Sequence, residues 1–444
     1  MTAQTARQLA FSVLLKIHTK NAYSNLALDA ALSAGSFDER ERALAASLVY
    51  SCLERLLTLD YNLALYLRQP IKKLRPEVLT ALRLGACQLL FFDKIPPSAA
   101  VNSSVSLVKE MRCAFAAGLV NAVLRQVADN GLQLPKQAHT DIAYRSIKYS
   151  CPEWIVRLWE EAYGAEHCEG LLRCSQGGAP LTLRVNTTKT TAAALLDRLR
   201  EEGLDAEASP LAKNALTLRK SGAIEQLSAF REGLFHVQDA AAQLCCKALQ
   251  AEPGHTVFDL CAAPGGKSFT LAQTVAPGGT VRAFDLSATR LALVQRGAER
   301  LGLSNISIAA ADAAAYDPAS GQADRVLCDV PCSGLGILRR KPEIRYKTPE
   351  DIDKLPNLQY LILCNAARYV KQKGLFVYST CSLNPAENER VCERFLAAHP
   401  GFRFCPVLPE IPRFDGASDS LTLMPHLHNC DGFFIAAFRR META

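Results

Sequence analysis

Long apolar runs are missing from this chain of 444 residues. Nowhere do apolar residues continue unbroken for the roughly 18 positions that a membrane-spanning helix needs, so neither a membrane protein nor a membrane partner is expected. A secretory leader is missing too. The apolar stretch from Leu9 to Ile17 carries Lys16 and is followed by no small-residue cleavage site, so it fits an amphipathic helix and the expected location is the cytoplasm. The sequence has no internal repeat and no low-complexity tract. An excess of one charge is nearly absent: 50 Lys and Arg against 44 Asp and Glu leave a net charge of +6. That balance suits a phosphate-bearing partner but does not demand one. Cysteine, in contrast, is plentiful at 16 residues. In a reducing compartment these are buried small apolar groups, catalytic thiols or metal ligands, and structural disulfides are not expected. The length exceeds one ordinary core and suits two or three domains.

From Thr5 to about Asn130 the pattern is helical, with apolar residues at three and four spacing, as in Leu9, Val13, Leu14 and Ile17, then Val78, Leu82, Ala86 and Leu89. Breaks at Ser33 to Ser36, Gln69-Pro70 and Pro96-Pro97 divide it into several helices, and an all-α domain over residues 1–140 is expected. A small α+β module is expected over residues 145–234. It opens with a tryptophan-containing helix around Pro152 to Tyr163 and contains the alternating strand Leu181 to Asn186. Arg184, Thr187, Thr188 and Lys189 could meet RNA there, although a solvated strand edge explains each of them as well. Over residues 235–444, strand-like runs at Thr256 to Leu260, Thr280 to Asp285, Ile306 to Ala310, Arg325 to Cys328 and Gly374 to Tyr378 alternate with helical stretches. This is the pattern of an α/β domain with a parallel sheet covered on both faces. Arg403 to Pro406 and Gly432 to Phe438 then read as an antiparallel pair closing the sheet.

Asp259-Leu-Cys-Ala-Ala-Pro-Gly-Gly-Lys267 lies where the first of these strands hands over to a helix. Gly265 and Gly266 let the backbone come close to a ligand at a helix N-terminus. The run is neither the dinucleotide fingerprint nor a phosphate-cradling loop. Asp285 ends the second strand, where a carboxylate can accept hydrogen bonds from both ribose hydroxyls, and Asp312 follows the third. Taken singly, each aspartate reads as a cap or turn residue. Together at one sheet edge, beside a diglycine, they point to a cofactor containing a nucleoside.

Two cysteine motifs follow the next strands, Asp329-Val-Pro-Cys332-Ser-Gly and Ser379-Thr-Cys381-Ser. Among 16 cysteines most are packing residues, but these two follow strand ends on the cofactor's edge, where loops carry function. Zinc is not expected, because Cys328 with Cys332 is an isolated pair and adjacent Cys245 and Cys246 do not supply a second one. A thiolate beside a methyl donor suits one chemistry well. Addition to C6 of cytosine makes C5 nucleophilic enough to attack a methyl sulfonium. Such a route also needs an acid group at the N3 edge of the ring and a base for the C5 proton. Asp329, protonated or sharing a proton with N3, is the natural partner, and Lys267 is the nearest cation for lowering a thiol pKa or fixing the base. Spacing does not choose between Cys332 and Cys381 as nucleophile.

The motifs resemble those of the RNA cytosine-5 methyltransferases of the Sun/Fmu type. The resemblance is carried by Asp259 to Lys267, Asp329 to Gly334, Ser379 to Ser382 with Asn384-Pro385-Ala-Glu387-Asn388-Glu389, and Pro425-His426 with Asp431 to Phe434. In the N-terminal half, Leu82 to Gly85, Pro96 to Asn102 and Val120 to Arg125 are similar to the antitermination factor NusB. The combination resembles the bacterial enzymes that methylate small-subunit ribosomal RNA. It implies a NusB-like helical RNA-binding domain, a small α+β linker or RNA-binding module, and a Rossmann-like class I methyltransferase domain. By the same resemblance S-adenosylmethionine is the cofactor, bound by Cys261, Ala262, Ala263, Pro264, Gly265, Gly266, Lys267, Asp285, Asp312 and Asp329. Cys381 is then the nucleophile and Cys332 aids release of product. A cytosine in 16S ribosomal RNA is the implied target and a monomer the implied state. Val330 departs from the small residue common at its position. The alternatives are a transfer RNA target, or an RNA-binding assembly or antitermination factor with an inert methyltransferase domain. Arg339, Arg340 and Lys341 are the local candidates for RNA contact.

Overall fold

Helical periodicity over the first 130 residues becomes, in the computed structural model, the helices Ala6–Lys20, Ser24–Ala34, Glu39–Glu54, Leu56–Ala64, Pro76–Phe91, Pro97–Glu110 and Ala117–Asn130. The structure describes residues 5–20, 22, 24–136, 138–220, 224–414, 416 and 419–442. The expected breaks are real ones. Pro76 and Pro97 each sit in a first helical turn, where a missing N–H costs nothing. Asp38 caps the third helix by accepting from the Glu41 amide at 2.8 Å. Leu9, Leu48, Leu82 and Leu124, none of them exposed, meet in one core.

The chain forms two compact units. One runs to Gly178 and takes in Leu338–Lys347, and the other comprises Ala179–Ile337 and the chain from Thr348 on. The tryptophan-containing helix, Glu153–Cys174, falls in the first unit. So does Arg345, which is fully buried there. Its guanidinium donates to the carbonyls of Glu54 at 2.9 Å, Ser175 at 2.8 Å, Ser150 at 3.2 Å and Tyr149 at 3.3 Å.

The second unit begins with a four-stranded antiparallel sheet in the order β2-β3-β1-β4, from β1 (Leu181–Val185), β2 (Asp205–Ala208), β3 (Ala215–Lys220) and β4 (Phe235–Val237). The helix Ala192–Glu201 covers it, burying Leu195 and Leu199 against Leu183, Val185 and Leu216. Eight further strands follow: β5 (Thr256–Asp259), β6 (Thr280–Asp285), β7 (Ile306–Ala310), β8 (Ala323–Asp329), β9 (Val370–Thr380), β10 (Phe402–Cys405), β11 (Ser420–Leu423) and β12 (Phe433–Arg440). Their order is β10-β12-β9-β8-β5-β6-β7, with β11 paired to β12. The strands β5 to β9 run parallel, whereas β12 is antiparallel to β9, β10 and β11. The expected closing pair is therefore present, with a third antiparallel strand and the short helix Pro425–His428 between its members.

The central strands β5, β6, β8 and the second half of β9 are largely buried on both faces, as their apolar runs imply, while β7 at the sheet edge is not. Val257, Val281, Leu327 and Val377 pack on one face with the helices Gly266–Val275 and Ala288–Leu301. Phe258, Val326, Phe376 and Tyr378 pack on the other with Leu355–Tyr369 and Glu389–Ala398. Strand order reverses at β5. The loops after β5 and β6 thus lie on one side of the reversal and those after β8 and β9 on the other, with all four at the carboxyl edge, where open sheets bind ligands.

Candidate active site

The loop after β5 is shaped by its glycines. Gly265 has φ +113°, a conformation L side chains rarely adopt, and a Cβ there would lie 2.4 Å from the Phe269 ring. The amide of Gly265 donates to the Ala262 carbonyl at 2.8 Å and the helix starts at Gly266. At the end of β6 the carboxylate of Asp285 is nearly buried at 5% exposure. It accepts from the amides of Ala263 at 3.2 Å and Ser287 at 3.0 Å, and from Arg290 Nη1 at 3.4 Å. Arg290 also donates to the Ala263 carbonyl at 2.5 Å, so one guanidinium ties the glycine loop to the carboxylate. Asp312 is exposed and accepts from the Ala314 amide at 2.9 Å, the turn geometry that its residue type favours.

Asp259 lies under this loop. Its Oδ2 accepts from the Ser268 hydroxyl at 2.7 Å, while Oδ1 is buried without a partner. Burial pushes its pKa up to about 6, against the Ser268 hydrogen bond and the Lys267 charge. The Cys261 thiol is also pushed up, by burial first and then by the carboxylates of Asp259, Asp329 and Asp285. It therefore stays protonated, and what the loop offers a ligand at that position is backbone.

Across the reversal, the loops after β8 and β9 bring two sulfurs together. Cys332 Sγ and Cys381 Sγ are 3.2 Å apart, and both residues are half-buried. The bond to Cys381, with burial and the carboxylates of Glu387 and Asp329, pushes the Cys332 thiol well above its ordinary range. Cys332 thus keeps its proton and can donate it to the Cys381 sulfur.

Asp329 ends β8. It accepts from Lys267 Nζ at 2.6 Å and from the Ser379 hydroxyl at 2.9 Å. Burial works against the Lys267 ammonium, but Asp329 outweighs it and the pKa is held above its ordinary value. The Phe433 ring lies 5.1 Å from the same Nζ. This pairing bears on both residues singled out in the sequence. Asp329 is ion-paired, with the Lys267 ammonium within hydrogen-bond distance of its Oδ2. Lys267 makes its close contact with that carboxylate and not with either site thiol.

The candidates for RNA contact also make contacts within the protein. Lys189 donates to the Glu232 carbonyl at 2.8 Å, Thr187 donates through its amide to Gln273 at 3.1 Å, and Arg184 reaches Gln243 at 3.4 Å. These contacts tie the end of β1 to nearby elements, while Thr187, Thr188 and Lys189 stay exposed. Arg339 and Arg340 are half-buried and only Lys341 is exposed, so the run is no uniformly solvated face.

Sequence reasoning missed Ser379 as the second ligand of Asp329. It missed Asn388 as well, which accepts from Thr380 Oγ1 at 2.6 Å and donates to the Ser382 carbonyl at 3.0 Å, closing the turn that carries Cys381. Only their place in the quoted motifs marked them, since serine and asparagine at a strand end also read as plain turn residues.

Residues 246–439 match the family described as 16S rRNA methyltransferase RsmB/F, residues 4–129 the NusB family, and residues 151–225 the RsmF/B-like ferredoxin-like domain. The probable ribosomal RNA small subunit methyltransferase B of Bacillus subtilis (strain 168) is 36% identical, covering 99% of this chain and 100% of its own length. That of Synechocystis sp. is 37% identical over 98% of this chain and 99% of its own. The solved protein PH0851 aligns with a TM-score of 0.85 over 98% of both chains at 24% identity, a likeness of fold. With relatives of this identity spanning its whole length, the chain belongs to the ribosomal RNA small subunit methyltransferase B family.

Proposed function

We propose that this chain transfers a methyl group from S-adenosylmethionine to C5 of a cytosine in 16S ribosomal RNA, through a covalent bond between Cys381 and C6. The observation that carries the reading is the pair of sulfurs 3.2 Å apart at the sheet edge that also holds the Lys267–Asp329 ion pair. Membership of an RNA methyltransferase family supports it, since the relatives' names are those of small-subunit ribosomal RNA methyltransferases.

The residues present suit the cofactor. A nearly buried carboxylate at Asp285, the glycine cradle at Gly265, and the unpartnered Oδ1 of Asp259 offer acceptors and close backbone approach to a nucleoside bearing a cationic group. Residues 261–267, Asp285, Asp312 and Asp329 would hold it. When bound, S-adenosylmethionine supplies an electrophilic methyl group on sulfur.

The chain's own residues do the rest. Cys381 adds to C6 through its sulfur, which has the Cys332 thiol within hydrogen-bond reach. As the sulfur adds to C6, N3 takes up one proton, the equivalent of the one that Cys381 gives up, and shares it with the Asp329 carboxyl that Lys267 and Ser379 hold in place; that proton returns when the Cys381–C6 bond breaks. With the methyl group in place, the C5 proton leaves to a base and the Cys381–C6 bond breaks. Cys332 aids that release.

The test is a pair of alanine variants incubated with 16S RNA and cofactor. Cys381→Ala should form no covalent RNA adduct, and Cys332→Ala should accumulate one that survives denaturing electrophoresis. An adduct from Cys381→Ala and none from Cys332→Ala would reverse the assignment. Mass mapping of modified bases in RNA from cells lacking the protein tests the target, and loss of a 5-methylcytosine from 16S RNA is expected.

A further inference from the structure

One buried carboxylate touches both cysteine loops and is used by no step above. Glu387 is fully buried, as are Ser333, Ser382 and Gln359 around it. Its Oε2 accepts from the Ser333 amide at 2.7 Å and from Gln359 Nε2 at 3.0 Å. Its Oε1 accepts from the hydroxyls of Ser333 at 2.5 Å and Ser382 at 2.7 Å, and from Asn384 Nδ2 at 3.3 Å. Ser333 follows Cys332, and Ser382 follows Cys381. Their hydroxyl oxygens are themselves 2.8 Å apart. Gln359 spends its other N–H on the carbonyl of Pro331, at 3.0 Å, so the residue before Cys332 is gripped through the same centre.

We infer that Glu387 is a positioning residue for the thiol pair, its carboxylate fixing the separation and orientation of Cys332 and Cys381 by holding the residue that follows each. This rests on the reading of the site as a two-cysteine centre. The physical case begins with cost. Burying a carboxylate away from water is expensive, and every partner of Glu387 among the described residues is a neutral donor, with no Lys or Arg to repay it. A carboxylate is also the one side chain that accepts at both oxygens, so donors from two loops can converge on it without any being turned away. Five such bonds, several of them short, leave the two loops little freedom to slide. The sulfurs need that restraint, because a displacement of about 1 Å at reacting groups can cost on the order of a hundredfold in rate. The same carboxylate also helps keep the proton on Cys332.

Glu387→Gln tests this in the full chain. Its amide keeps the shape but sets an N–H against a donor. The expected result is a kcat for methyl transfer at least about tenfold lower, with KM for S-adenosylmethionine and for RNA changed less than about threefold. A second readout needs neither substrate. With iodoacetamide and peptide mass spectrometry, the ratio of Cys381 to Cys332 alkylation should fall at least about threefold from the native protein's, because the two sulfurs lose their distinct settings. Should Glu387→Gln melt well below the native protein, Ser333→Ala and Ser382→Ala replace it. Each removes one donor, and each should move kcat and the alkylation ratio in the same direction.

A folded variant with native kcat and native alkylation ratio would overturn the inference. So would a rise in KM alone, which would place Glu387 in binding. A native protein that methylates no RNA would instead overturn the proposed function, and the alkylation ratio would still decide the role of Glu387.

Discussion

Asp259 and Lys267 show how neighbouring charged side chains in one loop are handled in opposite ways. Lys267 has Asp329 at 2.6 Å, whereas Asp259 has a serine and an unpartnered oxygen. The pKa of Asp259 is therefore raised from an ordinary 3.8 to about 6. The folded state binds that proton more tightly than the unfolded chain, so the contribution to stability is fully present below about pH 4 and is lost as pH rises through about 6. The displacement corresponds to an upper bound on the order of 3 kcal/mol. Asp259→Asn should accordingly raise the melting temperature relative to the native protein at pH 8 and not at pH 4, and an equal effect at both would contradict the burial argument. For Lys267→Met the expected loss in methyl transfer is about a hundredfold, with cofactor affinity by calorimetry weakened less than tenfold. Affinity falling as far as rate would assign Lys267 to cofactor binding instead. Sequence singled out Lys267 and the carboxylates near it, but it could not say which carboxylate Lys267 would pair with, because that depends on where β8 lies beside β5.

The elements that carry the cysteines are held by close backbone approach as much as by side chains. The Gly336 amide donates to the Cys381 carbonyl at 2.9 Å, and the Gly432 amide donates to the Gly336 carbonyl at 2.9 Å. A Cβ at Gly336 would fall 2.0 Å from the Gly432 carbonyl oxygen and 2.8 Å from that of Cys381, backbone that cannot swing aside. Gly336→Ala should cost about 1–3 kcal/mol in urea denaturation, with a larger proportional loss of activity because the Cys381 turn must shift. A variant with native stability and activity would show that this contact is not tight. Strands β5, β6 and β8 were legible to within a few residues, since their buried faces demand apolar runs. By contrast, β11 was missed because its four residues show too little periodicity to register, and its strand state comes from pairing with β12.

At the scale of the molecule, ten residues following the Pro-Cys loop belong to the helical unit, and Arg345 is their buried anchor. Replacing it with methionine leaves four carbonyls without their donor. Arg345→Met is expected to destabilise the first unit by about 2–4 kcal/mol. Hydrogen exchange should speed up in Glu39–Glu54 and Glu153–Cys174, while amides of β5, β8 and β9 keep their protection. Equal loss in both units would show that Arg345 does more than serve the first.

What the sequence determined by itself was local: helix periodicity and proline breaks, the apolar strand runs, the glycine loop at Gly265, and the acidic and thiol residues placed after strand ends. These follow from short-range sterics and from the burial each pattern demands. The tertiary structure alone decided what depends on strand order. It set two sulfurs from loops 49 residues apart at 3.2 Å, gave Lys267 to Asp329, and closed Glu387 around both cysteine loops. It set Lys189 against the carbonyls of Glu232 and Arg300 and sank Arg345 into the helical unit. Distances between loops are fixed by sheet order and packing, so a charge or thiol finds its partner only when the whole chain has folded.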